Sequence, residues 1–133
     1  MLVQYEDESQ TNRKHQRYPI SATALIRIKN KDNSSIDTLV ANISKPGLGL
    51  YSYVSIPDGT PVSIELSFIG IKGLEKDTIE GNIIHSSKLG SLYYVGVLFD
   101  EEINAAAQPL LYGHFWKIVE LEKIIFFKRM PVD

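Results

Sequence analysis

Pro61-Val62-Ser63-Ile64-Glu65-Leu66-Ser67-Phe68 is the stretch whose reading decides the fold. Val62, Ile64, Leu66 and Phe68 fall on one side of an extended chain, and Ser63, Glu65 and Ser67 on the other. Successive side chains of a β-strand point to opposite faces, so this period of two predicts a strand with one buried face. Asp58-Gly59 just before it reads as a turn. The same texture recurs outward in both directions. Residues 22–29 largely alternate, with Ala24, Ile26 and Ile28 opposed to Arg27 and Lys29. Lys31-Asp32-Asn33-Ser34-Ser35 is turn chemistry, and residues 36–43 and 48–54 are strands flanking a Lys45-Pro46-Gly47 corner. Residues 76–86 and 92–99 form a hairpin joined by Lys88-Leu89-Gly90-Ser91. Six strands at near-regular spacing predict a mainly β chain, an antiparallel barrel or sandwich that removes or shortens exposed sheet edges.

Composition narrows the class. A chain of 133 residues forms one domain by the usual size relation, and its 44% hydrophobic and 23% charged content are those of an ordinary globular protein. The formal net charge of −2 argues against DNA or RNA binding and against a membrane surface, both of which need a basic excess. An anionic ligand must therefore be met by a local cluster of cations. Zero cysteines exclude disulfides and thiolate metal sites and fit a reducing compartment. Residues 1–10 lack the apolar core of a signal peptide, and no apolar run reaches the roughly 20 residues of a membrane span. The expected location is the cytoplasm.

The two ends differ from the middle. Residues 1–17 have almost no apolar periodicity, carry Glu6, Asp7 and Glu8 ahead of a basic stretch, and read as a flexible N-terminal arm before a barrel over 18–100. Residues 101–133 hold the one long helical segment, with Gln108 just before it, Pro109 suited to its first turn and Pro131 beyond its end. Leu111, Phe115, Trp116, Ile118, Val119, Leu121, Ile124 and Ile125 cover more than one stripe of that helix. It either docks entirely on its own domain or buries one side on the barrel and one on a partner, a second copy included. The Leu111/Phe115/Ile118 seam runs into Glu122, so no coiled-coil heptad is sustained.

Two short motifs carry the chemistry. Arg13-Lys14-His15-Gln16-Arg17 spaces two arginines as R-x-x-x-R, and Asn42-Ile43-Ser44-Lys45-Pro46-Gly47 reads N-x-S-x-x-G. Arginine presents a planar fork that pairs bidentately with phosphate oxygens or with guanine O6 and N7. Asn42 and Ser44 are two residues apart, so an extended chain turns an amide and a hydroxyl to one side. Pro46-Gly47 favours a turn with positive φ at the glycine, whose missing side chain lets a ligand approach the backbone. Taken singly, the first motif reads as a solvated basic run and the second as an ordinary strand-ending corner.

Taken together, in this order on a β-rich chain, they resemble the ligand signature of the PilZ family. The resemblance extends over about residues 12–100 and includes Ile79-Glu80-Gly81-Asn82-Ile83-Ile84 and the closing run Tyr94-Val95-Gly96-Val97-Leu98-Phe99. It implies a six-stranded antiparallel β-barrel, here with a C-terminal helix, and a bacterial cyclic di-GMP receptor rather than an enzyme. It implies Arg13, Arg17, Asn42, Ser44 and Gly47 as ligand residues, with Lys14, His15 and Lys45 as auxiliaries on charge grounds. The family pattern allows Asp or Asn at position 42. Asn42 has one carbonyl oxygen where a carboxylate has two, and so less acceptor capacity for guanine donors. The partners implied are cyclic di-GMP and an unidentified protein, with homo-oligomerisation through the helix as a further expectation.

Other chemistries lack their residues. His15, His85 and His114 show no metal-ligand spacing, and Ser44 lies outside any G-x-S-x-G elbow. Gly47-Leu48-Gly49 opens like a dinucleotide fingerprint, but Ser52 stands where the third glycine belongs and no helix follows. Asp100-Glu101-Glu102 reads as a helix-start feature, His85 as a half-buried strand residue, and His114 as a helix-surface or packing residue. No catalytic residue, metal or cofactor is expected. Two further readings stand beside the receptor. One is a nucleotide-independent interaction module docking through the apolar helix. The other is a single-strand nucleic-acid binder using Tyr51, Tyr53, Tyr93 and Tyr94, which the net charge disfavours.

Overall fold

The alternation around Pro61 becomes the strand β4 (Pro61–Gly70), with Val62, Ile64, Leu66 and Phe68 all buried. Five more strands surround it: β1 (Ala22–Ile28), β2 (Ser35–Ile43), β3 (Gly47–Ser52), β5 (Gly73–Leu89) and β6 (Leu92–Phe99). All pairings are antiparallel, and the order β1-β2-β3-β6-β5-β4 closes on itself through β1 and β4 as a six-stranded barrel. A single helix, α1 (Pro109–Arg129), follows. This computed structural model describes residues 16–31 and 35–129, with side chains as far as Ile125.

One difference from the sequence reading lies in the length of β5, which has 17 residues rather than the span 76–86. Its hairpin with β4 continues past the barrel through Ile69↔Leu74 to Gly70↔Gly73, and Gly73 turns at φ +105°. Ile69, Ile71 and Leu74 are exposed there, so periodicity against a core could not have marked this extension. At the other end β3 stops at Ser52 because its hydroxyl bonds both the carbonyl (2.8 Å) and the amide (3.1 Å) of Val54, folding the chain into a turn. Two bulges interrupt the ladders, between Val40 and Asn42 in β2 and between Ile83 and His85 in β5. His85 is exposed beside the second bulge, not half-buried.

The barrel interior and the inner face of α1 form one core. Leu111, Phe115 and Val119, each four residues on from the last, are buried together with Ile103 and the inward-facing strand residues. His114 stacks on Phe68 with ring centroids 4.6 Å apart, and burial pushes its imidazole below the usual pKa. On the other side of the helix Leu121 and Ile124 are more than half exposed, and Trp116 and Ile125 are also exposed. The helix thus has one buried face and an apolar remainder in water.

The carboxylate at the helix start comes from an unexpected place. The Leu111 amide donates to Asp77 Oδ2 (2.7 Å) on β5, while Gln108 caps through its own carbonyl to the Tyr112 amide (2.8 Å). Asp100 instead accepts from the Asn82 side chain (3.1 Å), and Glu102 lies 3.9 Å from Lys45. A helix N-terminus leaves amides unbonded and carries partial positive charge, and Asp77 answers both. Asp77→Ala is expected to cost about 1 kcal/mol of stability, read by urea denaturation, and Asp77→Asn less because an acceptor remains.

Candidate functional site

The bulge in β2 sets up the site. Val40 and Ile43 both point into the core although three residues apart, and the extra residue between them leaves Asn42 on the outer face opposite Gly49. Just before β1, the chain makes a two-bond bridge to the end of β2. The Tyr18 amide donates to the Ile43 carbonyl (2.8 Å) and the Ile43 amide to the Tyr18 carbonyl (2.9 Å). Tyr18 is held further by an edge contact of its ring on Phe115 of α1 (5.8 Å, 87°). The adjacent residue, Arg17, is thereby delivered to the outer face of the barrel.

There Arg17 meets Asn42 and Tyr94. Arg17 Nη1 donates to the Tyr94 hydroxyl (2.9 Å) and lies 3.5 Å from Asn42 Oδ1, the outer limit of a hydrogen bond. Asn42 Nδ2 also donates to the Tyr94 hydroxyl (3.1 Å). Arginine is a donor only, so the Asn42 amide must turn its oxygen to Arg17 and its nitrogen to Tyr94. Among the described residues no carboxylate pairs with Arg17, and its Nη2 and Nε carry no hydrogen bond. A charged fork with an open edge, beside an amide and a phenol, suits an anionic, base-bearing ligand.

Gly49 explains how Tyr94 reaches so far across the sheet. A Cβ on Gly49 would lie 2.1 Å from the Tyr94 hydroxyl and 3.0 Å from Asn42 Oδ1. The missing side chain makes room for the ring to lie over β3, and Tyr51 packs edge-on against it (5.9 Å, 67°). In sequence Gly49 reads only as part of a failed fingerprint, and Tyr94 as the first residue of the closing run and one of four candidate aromatics, with no link to Arg17 or Asn42.

The remaining motif residues have other placements. β2 ends at Ile43, so the extended-chain spacing stops one residue short of Ser44. Ser44 is buried, and its amide (2.8 Å) and hydroxyl (3.2 Å) both donate to the Gly47 carbonyl, closing the corner. Gly47 does not adopt the positive φ expected of it; left-handed glycines occur at Gly59, Gly73 and Gly90. Its need for glycine is spatial. A Cβ there would lie 2.2 Å from the Val97 carbonyl oxygen on β6. Gly47→Ala is expected to destabilise the unliganded protein by about 1–3 kcal/mol in thermal denaturation, since β3 and β6 must part to admit it. Lys45 approaches Glu102 and sits over the Trp116 ring, 5.8 Å from its centroid. Arg13, Lys14 and His15 lie outside the described residues.

Among the described residues no group of three or more His, Cys, Asp or Glu could hold a metal ion. No helix there is long and apolar enough to cross a membrane.

Comparison with known proteins bears on the family and the fold. The family model described as PilZ domain matches residues 11–112, which includes both motifs. Solved structures that share the fold include the following two. The inhibitor of motility MotI/DgrA of Bacillus subtilis aligns with TM-score 0.63 at 15% identity, over 89% of this chain and 53% of that one. The chain therefore spans about half the length of the Bacillus protein. The PilZ domain of YcgR from Escherichia coli, solved with c-di-GMP, aligns with TM-score 0.54 at 18% identity, over 90% and 98% of the two chains. No curated protein sequence matches.

Proposed function

The chain belongs to the PilZ domain family, and from that premise we propose that it is a cyclic di-GMP receptor, a binding and effector module without catalysis of its own. The observation that carries this reading is the Arg17–Tyr94–Asn42 cluster, where Arg17 of R-x-x-x-R and Asn42 of N-x-S-x-x-G meet on one outer face. The open edge of Arg17 takes a phosphate or a guanine edge, and Arg13 supplies the second cation of the motif. Asn42 meets a base edge, while Ser44 and Gly47 hold the corner that carries it. Lys14, His15 and Lys45 contribute charge. The bound signal reaches α1 through the two contacts nearest the site, Tyr18 on Phe115 and Lys45 over Trp116. A protein partner then reads the altered surface.

Isothermal titration with cyclic di-GMP tests the reading: saturable heat at micromolar protein is expected, and its absence ends it. Trp116 is the single tryptophan of the chain and stands beside Lys45. Its fluorescence is an independent reporter of the same titration.

A second reading, docking or self-association through α1, is favoured by the exposure of Leu121, Ile124 and Ile125. Truncating α1 would also strip Leu111, Phe115 and Val119 from the core, so charge on the exposed face is the better probe. If that face joins two copies, Leu121→Glu with Ile124→Glu lowers the mass seen by light scattering. An unchanged mass excludes self-association through it.

A further inference from the structure

We infer that Tyr94 is the positioning residue of the ligand site: its phenol holds Arg17 and Asn42 in the binding arrangement before the ligand arrives. The inference rests on the receptor reading above and adds a residue outside both motifs. Tyr94 lies on β6, 77 residues from Arg17 and 52 from Asn42, yet its hydroxyl is the nearest bonded partner of both side chains. The direct Arg17–Asn42 contact is 3.5 Å against 2.9 and 3.1 Å to the phenol. The hydroxyl is therefore what joins them.

The chemistry of the joint favours preparation over blockade. A phenol is neutral, so it orders the guanidinium without cancelling the charge an anion needs. It engages Nη1 and, among the described residues, leaves the Nη2/Nε edge, a pair that makes a bidentate fork, without a hydrogen-bond partner. An arginine side chain gives up much rotamer freedom on binding, and here part of that loss has already occurred in the folded protein. The ring has been given its place deliberately by the fold: Gly49 clears the space and Tyr51 flanks it.

Tyr94→Phe keeps the ring and removes the joint. With two hydrogen bonds lost, cyclic di-GMP affinity in calorimetry is expected to fall about 5- to 30-fold. Because Tyr94 acts through Arg17 and Asn42, Tyr94→Phe should cost less in the Arg17→Ala background than in the wild type, where only the Asn42 half of the joint is left to lose. Gly49→Ala, whose methyl would meet both the Tyr94 hydroxyl and Asn42 Oδ1, breaks the same joint and should lower affinity at least as much as Tyr94→Phe. Unchanged or tighter binding by Tyr94→Phe, or losses that simply multiply in the double variant, would overturn the inference. A ligand-free measurement separates it from the receptor reading. In the wild type the Arg17 guanidinium N–H signals should show hindered rotation by NMR, and in Tyr94→Phe they should average. If wild type gives no heat with cyclic di-GMP, the receptor reading fails while this spectrum still decides the positioning. Arg17 signals identical in the two proteins refute it.

Discussion

Arg17→Ala is expected to weaken cyclic di-GMP binding by about 100-fold or more, the loss of a charge-assisted bidentate contact in a half-buried setting. Among the described residues the guanidinium has no hydrogen-bond partner on its Nη2/Nε edge and no carboxylate to compete for it. Arg17→Lys keeps the charge but not the planar fork, so it should fall between the variant and the wild type. Raising salt should reduce wild-type affinity more than that of Arg17→Ala, because one fewer cation meets the phosphates. Arg17 is on the outer face and outside the core, so the unliganded fold should keep its melting temperature to within a few degrees. By the family pattern Arg13→Ala should also bind poorly. Unchanged affinity in both single variants would refute the site.

Phe68→Ala carries the largest expected cost in stability, about 3–5 kcal/mol, for emptying a large and fully enclosed volume. Phe68 is 1% exposed, at the end of β4 where that strand pairs with both Ala22 of β1 and Glu75 of β5. It is also the ring on which His114 stacks, so barrel core and helix lose the same contact. The melting temperature should drop by about 10–20 °C. Phe68→Leu refills most of the space and should cost less than half as much. A loss below about 1 kcal/mol for Phe68→Ala would mean that α1 collapses into the space, and that the stacking is not what holds the helix.

Much of the fold is legible locally. The period of two over residues 61–68, and its weaker repeats, predicts each of the six strands, and every one of them appears. Gln108 and Pro109 mark the start of α1 because the fixed φ and missing amide of proline suit a first helical position whatever lies around it. Legibility fails where a residue's role depends on a neighbour distant in the chain. Gly47 looks like a turn glycine until β6 is laid beside it and the Val97 carbonyl fills the space of its Cβ. Asp100, Glu101 and Glu102 look like the helix-start carboxylates until barrel closure brings Asp77 to the Leu111 amide.

The opposed faces of 61–68, the R-x-x-x-R and N-x-S-x-x-G spacings and the family they signal were determined by the sequence alone, since each depends on residues a few positions apart. Barrel closure decided the rest. Pairing β3 with β6 carries Tyr94 over Gly49, and the Tyr18–Ile43 bridge carries Arg17 to the same place. A phenol and a guanidinium 77 residues apart share a hydrogen bond only when the strands between them have chosen their neighbours. Local periodicity cannot encode that choice. It is made by packing Leu48, Leu50, Val95 and Val97 into one interior, which turns the opposite sides of β3 and β6 to the outer face that carries the Arg17–Tyr94–Asn42 cluster.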